Sequence, residues 1–432
     1  MRLRYAAALL AAGTLALVAA CSSGNGISSS GGAISSSTDP NSLSGTVTMW
    51  IYPIAPTGEA ADWKPRVAAF EKLYPHVKVN VVVQPWANRD EQLETAIAGG
   101  KGPDVVYLIP DQIPNYANSG SLENVGSLVS SDKSDFYPNA LNALTYNGSL
   151  YGVPLLMQAT TLLANKNVMK AAGITQIPTT WSQMLADGPA LKAKGFYLTE
   201  YDAAPDQTLN ETFYPLLWQA GGQVLSANGK QAAFNSSAGV TALGFLQTLV
   251  KDGYVPKDPL TVDPTPDTDP INQGKVAFVM TGDVASLTPT AQVPLSAWAV
   301  GKPLSSGTSG GKVISYGTVG GLSILSQSQN KAAAAAWVSW VTSTAQIKSY
   351  DSTHDYFSPR KSVGTLFSPS TLIGQEEEML PYVTQGSINL DSRQIISDLA
   401  AKLQGAILND TNPQQALNSA ATETNQLLSR SS

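Results

Sequence analysis

Polar and apolar positions change period several times along the chain, and the changes mark out secondary structure. Thr46 to Ile51 (TVTMWI) alternates as a strand does, Ala60 to Leu73 places Trp63, Val67, Phe70 and Leu73 at helical spacing, and Val77 to Val83 (VKVNVVV) returns to a period of two. Arg89 to Ile97 reads as a second helix with Leu93, Ala96 and Ile97 on one face, and Gly99-Gly100-Lys101-Gly102-Pro103 breaks it. Asp104 to Ile109 (DVVYLI) is then nearly all apolar, as a strand buried on both faces of a parallel sheet must be. This β-α-β-α-β unit predicts an α/β fold whose ligand contacts gather at the carboxyl ends of its strands. More α/β stretches follow, separated by Pro- and Gly-rich breaks such as 258–270.

The N-terminus has a different pattern. Arg2 and Arg4 precede an uncharged, Ala- and Leu-rich run from Tyr5 to Ala20, too short for the roughly 20 residues of a membrane-spanning helix. Residues 1–20 therefore read as a signal peptide. Val18-Ala19-Ala20-Cys21 resembles the lipobox of bacterial lipoproteins, which implies that Cys21 is diacylated and becomes the mature N-terminus. Cys21 is the only cysteine, so no intramolecular disulfide is possible. Two acyl chains anchor a protein stably where one holds only reversibly. Ser22 to Ser44 interleaves Ser with Gly, so 21–44 reads as the lipidated cysteine and a flexible tether of about 25 Å root-mean-square reach. The expected location is the extracellular face of the cell membrane, held by the lipid anchor alone.

Composition narrows the function. The chain has 26 basic and 32 acidic residues, and loss of Arg2 and Arg4 takes the basic count to 24 and the net charge to −8. That balance speaks against a nucleic-acid partner. Two histidines and no thiol beyond Cys21 leave little catalytic equipment, so neither catalysis, a cofactor nor a metal is expected. Gly307-Thr308-Ser309-Gly310-Gly311 matches G-x-S-x-G, but the strand-like KVISYGTVGG follows it where a hydrolase elbow needs a helix. Asp258, Asp263, Asp267 and Asp269 are interrupted by prolines and lack the spacing of a calcium loop. No motif announces a glycosidase carboxylate pair.

The body also carries a resemblance. GGKGPDVVYL with PNYANSGSLENV after it, YGVPLLMQATTLLANKNVMKAAGI followed by PTTWSQML, WQAGGQVLSANGKQAAFNSSAG, NQGKVAFVMTGD and GTVGGLSILSQSQNKAAAAAWVSWV resemble, in order, the family 1 extracellular solute-binding proteins, the group that contains maltose-binding protein. The resemblance implies two α/β lobes joined by three hinge crossings with the ligand between them. Segment by segment, it puts the crossings near Gln158, Pro294 and Thr344. Lobe one would be 45–158 plus 293–343, and lobe two 159–292 plus 344–432. It further implies capture of a small solute, a di- or oligosaccharide first and a glycerophosphate derivative second, and delivery by a monomer to the permease of an ABC transporter. A secreted hydrolase is a distant third reading.

Sugar sites combine aromatic rings, which stack on pyranose faces, with polar side chains that bond to hydroxyls. Among the 8 Trp and 16 Tyr, the expected cleft residues are Trp50 at the end of the first strand, Trp218 before the GG motif, Trp298 by the second crossing and Tyr316. Trp337 and Trp340 have the spacing of core residues, and the resemblance implies that Trp181 is a packing residue at a helix start. The resemblance implies Asp111 as a sugar-contacting carboxylate, Gln158 where the relative has a ligand-binding Glu, and Arg360 after a loop facing the cleft. Asp283 would supply a hydrogen bond from the second lobe, and Gly321 would let the backbone approach the ligand closely. The stacking tryptophans of the maltose binder's second lobe have no counterpart, which argues against maltodextrin itself.

Overall fold

The computed structural model describes residues 39–430 except 55–58, 87, 205–207, 263 and 266. The signal peptide, Cys21 and most of the expected tether lie outside the described residues. The last part of that tether, 39–44, is ordered instead. Asp39 caps a short turn at Pro40–Ser42, and Leu43 is buried in the core, which fixes the chain before the first strand.

Among the described residues twelve strands follow in chain order: β1 (Gly45–Ile51), β2 (Val77–Val83), β3 (Val105–Leu108), β4 (Thr145–Tyr146), β5 (Ser149–Leu150), β6 (Val153–Ala159), β7 (Thr161–Asn165), β8 (Tyr197–Thr199), β9 (Val276–Gly282), β10 (Trp298–Gly301), β11 (Ser315–Ile324) and β12 (Val383–Thr384). The alternation in β1 buries Val47, Met49 and Ile51 on one face, and β1 lies parallel to both β2 and β3. All four residues of β3 are buried, as its continuous apolar run requires.

Two main sheets result. One runs β12-β11-β3-β1-β2 with β6 also paired to β11, and the other runs β10-β7-β9-β8. Each supports its own core. Val47, Phe70, Val105, Leu322 and Trp337 belong to the first, and Met184, Phe213, Phe278, Leu399 and Leu417 to the second. Trp63, Phe70, Trp337 and Trp340 form one aromatic cluster in the first core, with Trp337 stacked on Trp340 at 5.7 Å. Trp181 starts the helix Trp181–Ala193, capped by Thr180, and packs flat on Phe245 at 4.5 Å. Trp181 and Trp337 lie in the cores and Trp340 packs against the first, as expected.

The chain passes between the sheets side by side at two places. β6 ends at Ala159 and Thr161 opens β7 in the other sheet. Between them Thr160 donates its amide to the Tyr316 carbonyl at 2.8 Å and its hydroxyl pairs with Ser315 Oγ at 2.7 Å. β11 begins with Tyr316 in the second core and ends with Leu322 and Ile324 in the first. The crossing expected near Pro294 is thus displaced to Ser315–Gly317, because Trp298 to Gly301 continue the second sheet by pairing with β7. The crossing expected near Thr344 also moves. The helix Thr344–His354 sets Tyr350 against Trp63 at 5.3 Å in the first core, whereas the helix Leu372–Glu377 packs on β10, so the third passage falls between Val363 and Leu372.

Gly307 to Gly311 forms a turn that leads into β11 with no helix after it, so Ser309 does not sit on a nucleophile elbow. Among the described residues no helix is long and apolar enough to cross a membrane, and no cluster of His, Cys, Asp or Glu could hold a metal ion.

Candidate functional site

The carboxyl ends of β1, β2 and β3 open toward the second sheet. Beyond β1, Tyr52 is buried and stacks on Trp86, which follows β2, at 4.9 Å with the ring planes 18° apart. Trp86 donates its indole N–H to the Pro53 carbonyl and is 39% exposed, so part of its ring stands at the rim. The helix Arg89–Ala98 starts here, with the Arg89 guanidinium 4.8 Å from the Trp86 ring centroid. Asp111, three residues past β3, is buried; its Oδ2 accepts from Asn210 Nδ2 at 3.1 Å and from Arg393 Nη1 at 3.2 Å, while its Oδ1 has no partner. Asn210 and Arg393 come from segments packed on the second core, so Asp111 is contacted across the cleft.

The hinge strands supply the floor. Gln158 of β6 lies opposite Thr318 of β11, and its side chain lies close enough to Asp283, which follows β9, to favour the Asp283 carboxylate. Tyr316 is buried beside Asp111 and Glu211, and burial above all, then those two charges, raise its phenol pKa. Crowding by surrounding atoms and the charges of Asp283 and Asp111, against the opposing Arg89, push Glu211 up to about 7, although the residue stays open to solvent, which tempers the shift. Asp283 is raised by burial in spite of the bond from the Ser286 amide, and burial with the Asp283 charge also raises Glu376, which accepts the Val284 amide at 2.8 Å. Carboxyl groups thus crowd one wall of the cleft, and their desolvation and mutual repulsion favour their neutral forms.

Next to this wall lies a cavity of about 390 Å³. Asn139, Asn142, Gln158, Thr318, Thr384 and Gln385 bring amides and hydroxyls to it, and Met157, Val319, Leu380, Val383 and Ile388 bring apolar surface. No charged side chain lines it. Gly386 joins the cavity to the charged wall, because a Cβ at that position would collide with the Asn210 side chain. Neutral polar donors and acceptors beside apolar patches suit an uncharged, hydroxyl-rich solute.

Of the nine residues expected from the sequence, the structure brings together Asp111, Gln158, Asp283 and Tyr316. The other five have structural surroundings. Trp50 is half-buried in mid-sheet between Val82 and Val106 and packs against the first core. Trp218 is buried in the second core 6.0 Å from Tyr214. Trp298 pairs with Asn165 while its ring, 3% exposed, packs into the first cluster. Gly321 makes room for Leu144 and the Val153 carbonyl rather than for a ligand. Arg360 is buried beneath Phe136 with Asp132 and Asp135. In each case a large side chain or a close backbone fills the interior between elements, and packing claims it before the cleft can.

Arg89, Asp90, Asn210, Glu211 and Arg393 were absent from the expected set. A signal existed for Arg89 and Asp90, which open a helix directly after a parallel strand, where such sheets place ligand contacts.

Comparison with known proteins agrees with this architecture. The model of the bacterial extracellular solute-binding protein family matches residues 55–348. A binding protein of Brucella abortus is 22% identical over 256 residues, 59% of this chain and 61% of its own, so the aligned stretch spans less than two thirds of that relative. The galactooligosaccharide-binding protein of Bacillus subtilis is 28% identical over 205 residues, 45% of each chain. The crystal structure of an ABC transporter solute-binding protein from Thermotoga lettingae, bound with α-D-tagatose, superposes with a TM-score of 0.78 at 23% identity, covering 89% of this chain and 100% of that one. A family match over more than half of the chain, with two lobes about paired hinge strands, establishes that this protein belongs to the bacterial extracellular solute-binding protein family.

Proposed function

We propose that the protein binds a neutral carbohydrate, a di- or oligosaccharide, between its lobes and hands it unchanged to the permease of an ABC transporter. The observation that carries this reading is the uncharged, amide- and hydroxyl-lined cavity of about 390 Å³ at the hinge strands, in the size range of small-molecule sites. With no charged side chain lining it, that cavity offers a phosphate-bearing ligand no cation. Relatives named for galacto-oligosaccharides and solved with tagatose support the sugar class. Lobe one would comprise about 45–158, 318–341 and 344–363, and lobe two about 161–315 and 372–430. Lipidation at Cys21 would keep the domain at the outer face of the membrane and close to the permease. A sugar that touches both lobes binds the closed form better than the open one and so shifts the population toward closure.

Gln158→Ala tests the site. A thermal-shift screen of sugars, polyols and phosphodiesters identifies the ligand, since saturation at 100 times the dissociation constant stabilises the native state by about 2.7 kcal/mol. Calorimetry with that ligand should show the variant weaker by about 1–1.5 kcal/mol, the worth of one neutral hydrogen bond. Stabilisation by phosphodiesters alone, or an unchanged dissociation constant in the variant, would overturn the reading.

A further inference from the structure

Arg393 has surroundings that its own helix does not explain. It is the second residue of the helix Ser392–Leu408, where a cation opposes the positive end of the helix dipole. Its compensation comes from the other lobe. Nε and Nη2 both reach Asp90 Oδ2 at 2.9 Å, and Nη1 reaches Asp111 Oδ2 at 3.2 Å.

One acceptor is fixed from its own side and the other gains a second bond across the cleft. Gln112, itself buried, donates to Asp90 Oδ1 and accepts the Ile109 amide at 3.2 Å. Asn210 on the second lobe adds a bond to Asp111 Oδ2 at 3.1 Å. Every group in this bridge belongs to the chain, so the bridge favours closure whether or not a solute is present. Asp111 is only 4% exposed in its side chain, so opening without Arg393 or with it differs in one respect that matters: the guanidinium neutralises a carboxylate that closure would otherwise bury uncompensated.

We propose that Arg393 is a positioning residue of the binding site, an interlobe latch that pairs with Asp90 and Asp111 and populates the closed form of the empty protein. Because closure is pre-organised, the solute meets a larger fraction of binding-competent molecules, and its apparent affinity rises by the same factor. The inference is independent of which solute binds. Its failure would leave the sugar reading untouched.

Small-angle scattering of the mature domain with no added solute tests it, on the natural sequence, Arg393→Gln and Asp90→Asn, at about 50 mM and about 500 mM NaCl, where screening lengths differ severalfold. The natural protein should be compact at low salt and expand at high salt. Arg393→Gln should be expanded at both, with a closed-to-open ratio at least tenfold lower, and Asp90→Asn should lie between them. Circular dichroism establishes that each variant is folded, and Asp90→Asn carries the test if Arg393→Gln is not. Superimposable low-salt profiles for the natural protein and the folded variants would overturn the proposal.

Discussion

Replacing Arg360 by Met tests whether this residue holds the first lobe together rather than facing a ligand. Arg360 is 5% exposed; Nη1 bonds to Asp132 at 2.7 Å and Asp135 at 3.1 Å, Nε bonds to the Thr342 carbonyl at 2.8 Å, and the guanidinium lies 4.0 Å from the Phe136 ring centroid. Methionine keeps most of the aliphatic stem, so packing loss is small and the charge is what disappears. Asp132 is 41% exposed and contributes little. Asp135 and the Thr342 carbonyl lose buried partners, and removal of one member of a buried pair destabilises by about 3–5 kcal/mol. With a urea slope of about 1–3 kcal/mol/M, the unfolding midpoint should fall by about 1 M or more. Burial pushes the Asp135 carboxyl up, but bonds from Ser362 and Arg360 outweigh it and hold the group below its usual range. Its stabilisation is therefore complete above the ordinary carboxylate pKa and is lost as pH falls through the lower folded value; the variant should lose part of this acid sensitivity. An unchanged midpoint, or weaker solute binding at an unchanged midpoint, would return Arg360 to the cleft and refute the structural role.

Two further outcomes can be checked directly. Glu200 is pushed up to about 8 by burial and by the charges of Asp269 and Asp202, so the folded state favours its neutral form and loses stability as pH rises from the ordinary carboxylate pKa toward 8; Glu200→Gln should raise the melting temperature at pH 8 and leave it nearly unchanged at pH 4, and equal shifts at both would argue against a titrating carboxyl. Cys21→Ala should move the protein from the membrane fraction to the medium, and undiminished membrane retention in that variant would remove the lipid anchor.

The first lobe was legible because its strands announce themselves by period: TVTMWI, VKVNVVV and DVVYL became β1, β2 and β3 within a residue or so. Asp111 and Gln158 were expected through the resemblance, and the structure sets Asp111 against the second lobe and Gln158 in the cavity lining. Trp218 and Trp298 misled because a large ring near a strand end or a break is as useful to the seam between elements as to a ligand, and only packing decides. Arg393 was not legible at all. Its partner Asp111 lies 282 residues away, and within SRQIISDL it has the place of an ordinary solvated charge on an amphipathic helix.

The second lobe takes its closing helices from the far end of the chain. Gln247, in the helix Ser237–Lys251, donates to the carbonyls of Ala406 and Thr411, and Asn425 accepts the Ala232 amide at 2.8 Å. Leu243, Leu246 and Leu249 share one core with Leu399, Leu403 and Leu417. A ribosome that has made everything up to Asp391 has therefore produced a nearly complete first lobe beside a second lobe whose interior is still open to water. Folding of the second lobe must wait for the last helix, and a chain clipped near its C-terminus would leave sticky leucines uncovered and become a target for aggregation and proteolysis.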